Sequence, residues 1–324
     1  LDRLQPGASV ADVAGIAYRS GDGIGPNPRR GRIRHIDEIP VPAWHLFDVE
    51  TYMKHNQPHG ASRGRFMPML ATRGCPYECA FCTSPNMWTQ RWIARDPVLL
   101  VNEMESYIAR YQASDFQFED LTAIVRKDWV QAFCQEILKR GLAISWQLPS
   151  GTRSEAIDVE TCRLMKAAGC HEFAYAPESG STRTLKIIKK RVKLENLYES
   201  ARAAMDSGIN VGCFFILGFP HETWEDFVQT YKAIAKCALY GFSTVNVNAF
   251  SPQPNTELYR ELLAAGAIRL DDDYFWNLFT FQDLLGKKRS YNRRFSDRTL
   301  SGAILAGYVI FFGLSFLRRP WRVV

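Results

Sequence analysis

The 324-residue sequence has little of what marks a non-globular or cross-linked chain. Its 22 glycines and 16 prolines, set in a composition 46% hydrophobic, 13% aromatic and 23% charged, argue against a collagen-like or disordered polymer. Eight cysteines are too few for a disulfide scaffold, and five of them (Cys134, Cys162, Cys170, Cys213 and Cys237) stand singly within apparent helices and strands. Such isolated thiols read as small buried apolar residues in a reducing, cytoplasmic compartment. Acidic residues are nearly missing from the last stretch: between Lys287 and Val324, nine Lys and Arg face Asp297 alone, a net +8 in a chain whose total is +6. A basic charge that arises in one tail argues against a nucleic-acid groove over the main body, so no nucleic-acid partner is expected. The chain opens at Leu1 in mid-pattern, and an upstream portion is expected.

What is present falls into three parts. Residues 1–60 hold a Gly/Pro-rich stretch, GDGIGPNPRRG, and a connector, IDEIPVPAWHLFD, in which Pro40 and Pro42 favour extended backbone. From residue 61 to 270, short apolar runs alternate with longer amphipathic segments. Strands are expected at 66–72, 115–121, 143–148, 171–176, 209–217 and 242–250, with helices near 97–111, 127–140, 158–168, 194–207 and 223–240. Gly141, Gly169, Gly208 and Gly241 each separate a helical pattern from the next strand, 28, 39 and 33 residues apart. Repeated β/α units imply an α/β fold with parallel strands and right-handed crossovers, either an open doubly wound sheet or a barrel, with ligands at the carboxyl ends of the strands. Residues 271–324 form a helical, basic and apolar tail.

Just past the end of the first expected strand lies RGCPYECAFCTSPNMW, where Cys75, Cys79 and Cys82 follow the spacing C-x3-C-x2-C. Three thiolates in one loop favour a soft metal or an iron-sulfur cluster. A structural zinc takes four ligands. A 4Fe-4S cluster on three cysteines leaves one iron without a protein ligand, where a small molecule can chelate. A zinc knuckle with a distant fourth ligand, a redox C-x2-C pair and three core cysteines are the other readings of the spacing.

With the aromatic Phe81 directly before the last cysteine, this loop resembles the signature of the radical S-adenosylmethionine (SAM) superfamily. The resemblance implies a partial (β/α)6 TIM-like barrel. It also implies that Cys75, Cys79 and Cys82 hold a 4Fe-4S cluster, and that reductive cleavage of SAM gives a 5′-deoxyadenosyl radical that abstracts hydrogen from an unactivated carbon. The same resemblance assigns further positions at the strand ends. Glu119 and Asp120, in FEDLT, stand where at least one carboxylate meets the SAM amino group, or else they open a helix. In QLPSGTRSE, the end of the third expected strand itself puts Gln147, Ser150 and Arg153 at the mouth, with Arg153 either on a carboxylate of SAM or substrate or bridged to Glu155. In APESGS, Glu178 and Ser179 are placed near the ribose hydroxyls, although Ala176 and Pro177 depart from the usual small pair. In ILGFPHET, Ile216, Gly218 and Phe219 flank adenine. In SPQPNTELY, Asn255 replaces the family's turn glycine, and both residues tolerate positive φ.

GIAYRSGDG, the connector and the barrel pattern, about 250 residues together, resemble the subgroup that carries an upstream cobalamin-binding domain. Its members include cobalamin-dependent methyltransferases and the anaerobic magnesium-protoporphyrin ester cyclase. The resemblance implies methyl transfer to an unactivated carbon of a hydrophobic or secondary-metabolite small molecule, with oxidative cyclisation as the near alternative. It also implies an electron donor such as flavodoxin or ferredoxin. The sequence contains no D-x-H-x-x-G cobalt-ligand motif, and 60 residues leave no room for a Rossmann-like domain, so cobalamin follows from the subgroup alone. A tRNA methylthiotransferase would need a further three-cysteine domain and a basic RNA-binding barrel, and a metal-knuckle scaffold would be no enzyme. Finally, residues 299–317 are 19 uncharged residues, enough at about 1.5 Å each to nearly cross a bilayer core of about 30 Å. With Arg298 before them and Arg318, Arg319 and Trp321 after, they read either as a membrane anchor, which would make the protein peripheral to a membrane, or as a helix buried on the barrel.

Overall fold

Strand order decides between the two architectures compatible with repeated β/α units. The computed structural model describes residues 10, 11, 13–280, 282, 283, 286 and 288–323; the first nine residues of the expected N-terminal part, with residue 12, lie outside the described residues. Six strands, β1 (Phe66–Met69), β2 (Asp115–Phe118), β3 (Ser145–Thr152), β4 (Cys170–Glu178), β5 (Asn210–Leu217) and β6 (Thr244–Ala249), form one sheet. Their spatial order repeats the chain order, and every pair is parallel. A right-handed crossover that always advances one strand puts every helix on one face, so the sheet curls into a partial barrel rather than winding in two directions.

The crossovers are α1 (Pro97–Tyr111), α2 (Lys127–Lys139), α3 (Val159–Ala167), α4 (Leu194–Asp206) and α5 (Trp224–Tyr240), close to the expected spans. The four junction glycines all have positive φ, the left-handed conformation that ends a helix. At Gly241 that turn is followed by Phe242, fully buried beneath α5. The sheet and the inner faces of these helices make one continuous core, in which Phe118, Phe133 and Trp146 interlock at 5.5–5.8 Å.

Four strand ends depart from the sequence expectation, and β2 stops at Phe118, short of residue 121, because its edge partner β1 ends opposite it at Met69. β1 stops at Met69, because the amides of Ala71 and Thr72 donate to the Asp120 carboxylate instead of to a neighbouring strand. Pro68 sits within β1 without penalty because β1 is an edge strand. β3 continues to Thr152 through a register irregularity, which moves Ser150 into the strand, and β4 continues to Glu178 through another.

Both edges of the partial barrel are covered. The connector wraps the β1 side: Asp37 accepts from the Asp96 amide and pairs with Arg95, while Trp44 Nε1 donates to Tyr107 of α1. On the β6 side lies α6 (Asp297–Arg318), started by Ser296, whose hydroxyl accepts from the Thr299 amide. This helix buries Leu300, Ala303, Ile304, Gly307 and Phe311 against α5 and β6. Gly307 allows the close approach, since a β-carbon there would lie 3.2 Å from Val247 and 3.4 Å from Ile234. One face of the tail helix thus packs on the barrel, as the second reading of the tail expects.

Candidate active site

Gly74 opens the cysteine loop with φ +86, in a turn where a β-carbon would collide with the Arg91 carbonyl. The loop then crosses the top of the barrel and is pinned by its backbone: the Ala80 amide donates to Ile188 O at 2.9 Å, and the Leu258 amide to Ala80 O at 3.1 Å. Beneath it a second apolar cluster, including Ala80, Leu185, Ile188, Phe219, Phe250 and Leu258, seats the loop. Phe81 meets Phe219 edge to face at 5.6 Å between ring centres. On the outer side, the Arg153 guanidinium stacks on Tyr77 at 3.8 Å.

The three thiols are half-buried. Burial pushes Cys79 up to about 11 and raises Cys82, and in both cases the neighbouring thiols add to the rise while Lys190 opposes it. Thr122 Oγ1 lies 3.6 Å from Cys75 Sγ, and the Ser84 amide donates to Cys82 Sγ at 3.4 Å. Among the described residues no group of three His, Cys, Asp or Glu side chains is arranged to hold a metal ion.

The strand ends bring several of the expected residues to the same rim and turn others away. Glu119, at the end of β2, accepts from Ser150 Oγ at 3.0 Å and stands 2.7 Å from His59 Nδ1. Asp120 points the other way. It is fully buried, takes the Ala71 and Thr72 amides and the Thr72 hydroxyl, and is lifted by burial to about 6 despite those bonds. Of the acidic pair, only Glu119 is left at the mouth.

Glu178 ends β4 with φ +67, an uncommon conformation for a residue with a side chain. Its carboxylate pairs with Lys190 at 2.9 Å, both side chains 10% exposed. Lys190 was missed in the sequence, where it sits inside the basic run KKR at 189–191. Ser179, just past the end of β4, is fully buried, its hydroxyl 3.1 Å from Thr230 Oγ1 of α5. Arg153 takes the second of its two readings, bridging Glu155 at 2.6 Å and donating to the Arg191 carbonyl.

At the end of β5, Ile216 is partly exposed, Gly218 has φ +91 and Phe219 is fully buried. Two residues hold this turn: Glu222, which the sequence reading places at the opening of the next helix, and Asn292, which carries no sequence signal. Glu222 accepts from the Gly218 and Phe219 amides at 2.8 and 3.0 Å, and burial raises its carboxyl to about 8. Asn292, far along the chain, donates to the carbonyls of Phe219 and Glu222. Asn255 adopts φ +62, as its place in the turn after β6 predicts.

Two cavities flank the rim. One, about 320 Å3, lies between the connector residues Ile39, Val41 and Trp44 and the edge of β1, and reaches Glu119. The other, about 580 Å3, lies outside Tyr77 and is lined by Arg153, Lys186, Lys190, Arg191 and Lys193 with Glu155 as its one carboxylate.

Comparison with known proteins agrees with this geometry. The family model described as "Radical SAM superfamily" matches residues 69–234, just over half of the chain. An uncharacterized methyltransferase, PH0819, of Pyrococcus horikoshii is 26% identical over 96% of this chain and 64% of its own length. The anaerobic magnesium-protoporphyrin IX monomethyl ester cyclase of Rubrivivax gelatinosus is 27% identical over 80% of this chain and 46% of its own. The chain thus spans only about half to two thirds of these relatives. Among solved structures, the radical SAM methyltransferase TsrM of Kitasatospora setae, with cobalamin and a [4Fe-4S] cluster bound, superposes with a TM-score of 0.62 at 18% identity, over 84% of this chain and 54% of that one. From the matched family model, together with the parallel barrel and its three-cysteine loop, the chain belongs to the radical SAM superfamily.

Proposed function

We propose that this chain is the SAM-cleaving portion of a methyltransferase that acts on an unactivated carbon of a small molecule, with cobalamin as the methyl carrier. The observation that carries the reading is the meeting of the cysteine loop, through Phe81, with the β5 turn at Phe219, on the same rim as Glu119 and Glu178. Cys75, Cys79 and Cys82 would hold a 4Fe-4S cluster, which when bound supplies the electron that cleaves SAM. Glu119, supported by Ser150, is the acceptor for an ammonium group at the mouth. The Glu178–Lys190 pair presents a carboxylate to hydroxyls and an ammonium to a carboxylate on one SAM molecule. Gly218 and Phe219 give the backbone edge and apolar wall against which adenine lies. Phe81, Phe219 and Phe250 exclude water from that wall.

Methyl transfer and cobalamin enter from the names of the relatives and of the TsrM structure. A second reading, oxidative cyclisation on the same radical chemistry, is favoured by the similarity to the ester cyclase. In both, a reduced flavodoxin or ferredoxin would approach from the side of the cavity beside Tyr77, whose lining stays net basic beyond the Arg153–Glu155 and Lys190–Glu178 pairs through Lys186, Arg191 and Lys193 and so attracts an acidic carrier.

The test is anaerobic reconstitution with iron and sulfide, then SAM, reductant and cobalamin in a cell extract. SAM-dependent release of 5′-deoxyadenosine, with a product heavier by one methylene, supports the proposal. A product that has lost two hydrogens supports cyclisation instead. No 5′-deoxyadenosine under reduction would refute both.

A further inference from the structure

The helix α6 has two apolar faces, and the barrel uses only one. Leu300, Ala303, Ile304, Gly307 and Phe311 are buried. On the opposite side, Leu305, Val309, Phe312 and Phe316 follow one another at helical spacing and are 54, 63, 37 and 39% exposed, and Leu317 beyond them is 83% exposed. A soluble surface seldom leaves so long an apolar stripe in water. Its ends are marked by chemistry that suits a lipid headgroup layer: Trp321 is 69% exposed, Arg318 is exposed near it, Arg298 is exposed in the first turn, and Arg293 and Arg294 are exposed just before the helix.

A bilayer-spanning helix would be free of the barrel around its circumference. Here Gly307 lies under Val247 and Ile234, Tyr231 donates to the Ala303 carbonyl at 2.9 Å, and Arg319 donates to the Gly241 carbonyl at 3.2 Å. Half of the helix is therefore committed to protein, and only an orientation parallel to the membrane plane immerses the other half. We propose that the outer face of α6 docks in-plane on an anionic phospholipid surface, with the apolar stripe in the acyl boundary and the flanking arginines on the phosphates. The buried face carries the consequence inward. Leu300 packs on the Gly218 turn, its methyl 2.8 Å from where a β-carbon of Gly218 would stand, so one helix separates the bilayer from the candidate adenine wall. This docking does not depend on which reaction the rim performs.

The experiment is co-sedimentation of the full chain with vesicles of phosphatidylglycerol mixed with phosphatidylcholine, or of phosphatidylcholine alone. The wild type is expected to pellet with the mixed vesicles, at least about tenfold more weakly with the neutral ones, and to be released by alkaline carbonate. Val309→Glu/Phe316→Glu, at two exposed positions, is expected to lose at least tenfold in vesicle affinity while melting at the wild-type temperature. Should that variant fail to fold, Arg298→Gln/Arg318→Gln must abolish the preference for phosphatidylglycerol. The proposal is overturned by any of four results: wild type left in the supernatant, equal pelleting of the apolar-face variant, an unchanged lipid preference in the arginine variant, or resistance to carbonate, which marks a spanning helix. A wild-type dimer that the apolar-face variant converts to monomer, without vesicle binding by either, would assign the stripe to a second copy of the chain and also overturn it.

Discussion

Phe81, in the cysteine loop after β1, and Phe219, in the turn after β5, meet edge to face with ring centres 5.6 Å apart. They are separated by well over a hundred residues in sequence, and their contact joins the sulfur-bearing loop to the far half of the barrel. The ring pair fixes the height of the loop above the strand ends, because Phe219 is fully buried between Phe81, Phe250 and His221 and cannot follow a shift.

Phe219→Ala should therefore cost about 3–5 kcal/mol in urea unfolding, the range for removing a buried aromatic ring. Phe81→Leu keeps most of the apolar volume and should cost less than about 1.5 kcal/mol. If the contact positions the loop, Phe81→Leu will nevertheless retain less iron per chain after reconstitution. Iron content equal to wild type would show that the loop holds its position without the ring.

Adjacent carboxylates should behave oppositely. Asp120→Ala leaves the buried amides of Ala71 and Thr72 without an acceptor and is expected to cost about 2–6 kcal/mol, at roughly 1–3 kcal/mol for each of the two unsatisfied groups. Glu119→Gln sits at the mouth and should change stability by less than about 0.5 kcal/mol. In the reconstituted protein, equilibrium dialysis with SAM should show Glu119→Gln weakened by about tenfold, the loss of one charge-assisted hydrogen bond. Undiminished SAM affinity in Glu119→Gln would remove Glu119 from the proposed site.

Glu222 gives stability a pH dependence opposite to the usual carboxylate. In the unfolded chain its carboxyl ionises near the ordinary value of about 4.3, whereas burial holds it at about 8 in the fold. Between those values the folded state binds more protons, so stability falls as pH rises from about 4 to 8. Comparing urea midpoints of wild type and Glu222→Gln across that range isolates this component: the variant curve should be flatter. Parallel curves would mean that Glu222 is ionised in the fold and its contribution to the turn is not that of a neutral acid.

Gly218→Ala brings a β-carbon to 2.8 Å from Leu300 at a backbone φ of +91. We expect destabilisation of more than about 1 kcal/mol, since a side chain is disfavoured in that conformation. Adding Leu300→Ala should not restore stability, because it relieves the contact but not the backbone, and it opens a cavity of its own. Full recovery in the double variant, read from thermal unfolding, would show that the contact alone made glycine necessary.

Much of the architecture was legible along the chain because it depends on local periodicity. Alternating short apolar runs and amphipathic segments, divided by glycines that can turn left-handed, located all six strands and five crossover helices to within a few residues at most ends. The end of β1 is misplaced because Asp120, distant in sequence, takes the amides that would otherwise extend it, and those of β3 and β4 because register irregularities carry the strands further.

The sequence by itself determined the repeat of β/α units, the position of three thiols immediately beyond the first strand, and the apolar character of the C-terminal helix, since each is a property of neighbouring residues. Only the tertiary structure decided which of two adjacent carboxylates faces the mouth, that Glu178 is matched by Lys190, that Asn292 braces the β5 turn, and which side of α6 is spent on the barrel. Side-chain direction and partner are set by elements that meet across the fold, and spacing along the chain carries no information about those meetings.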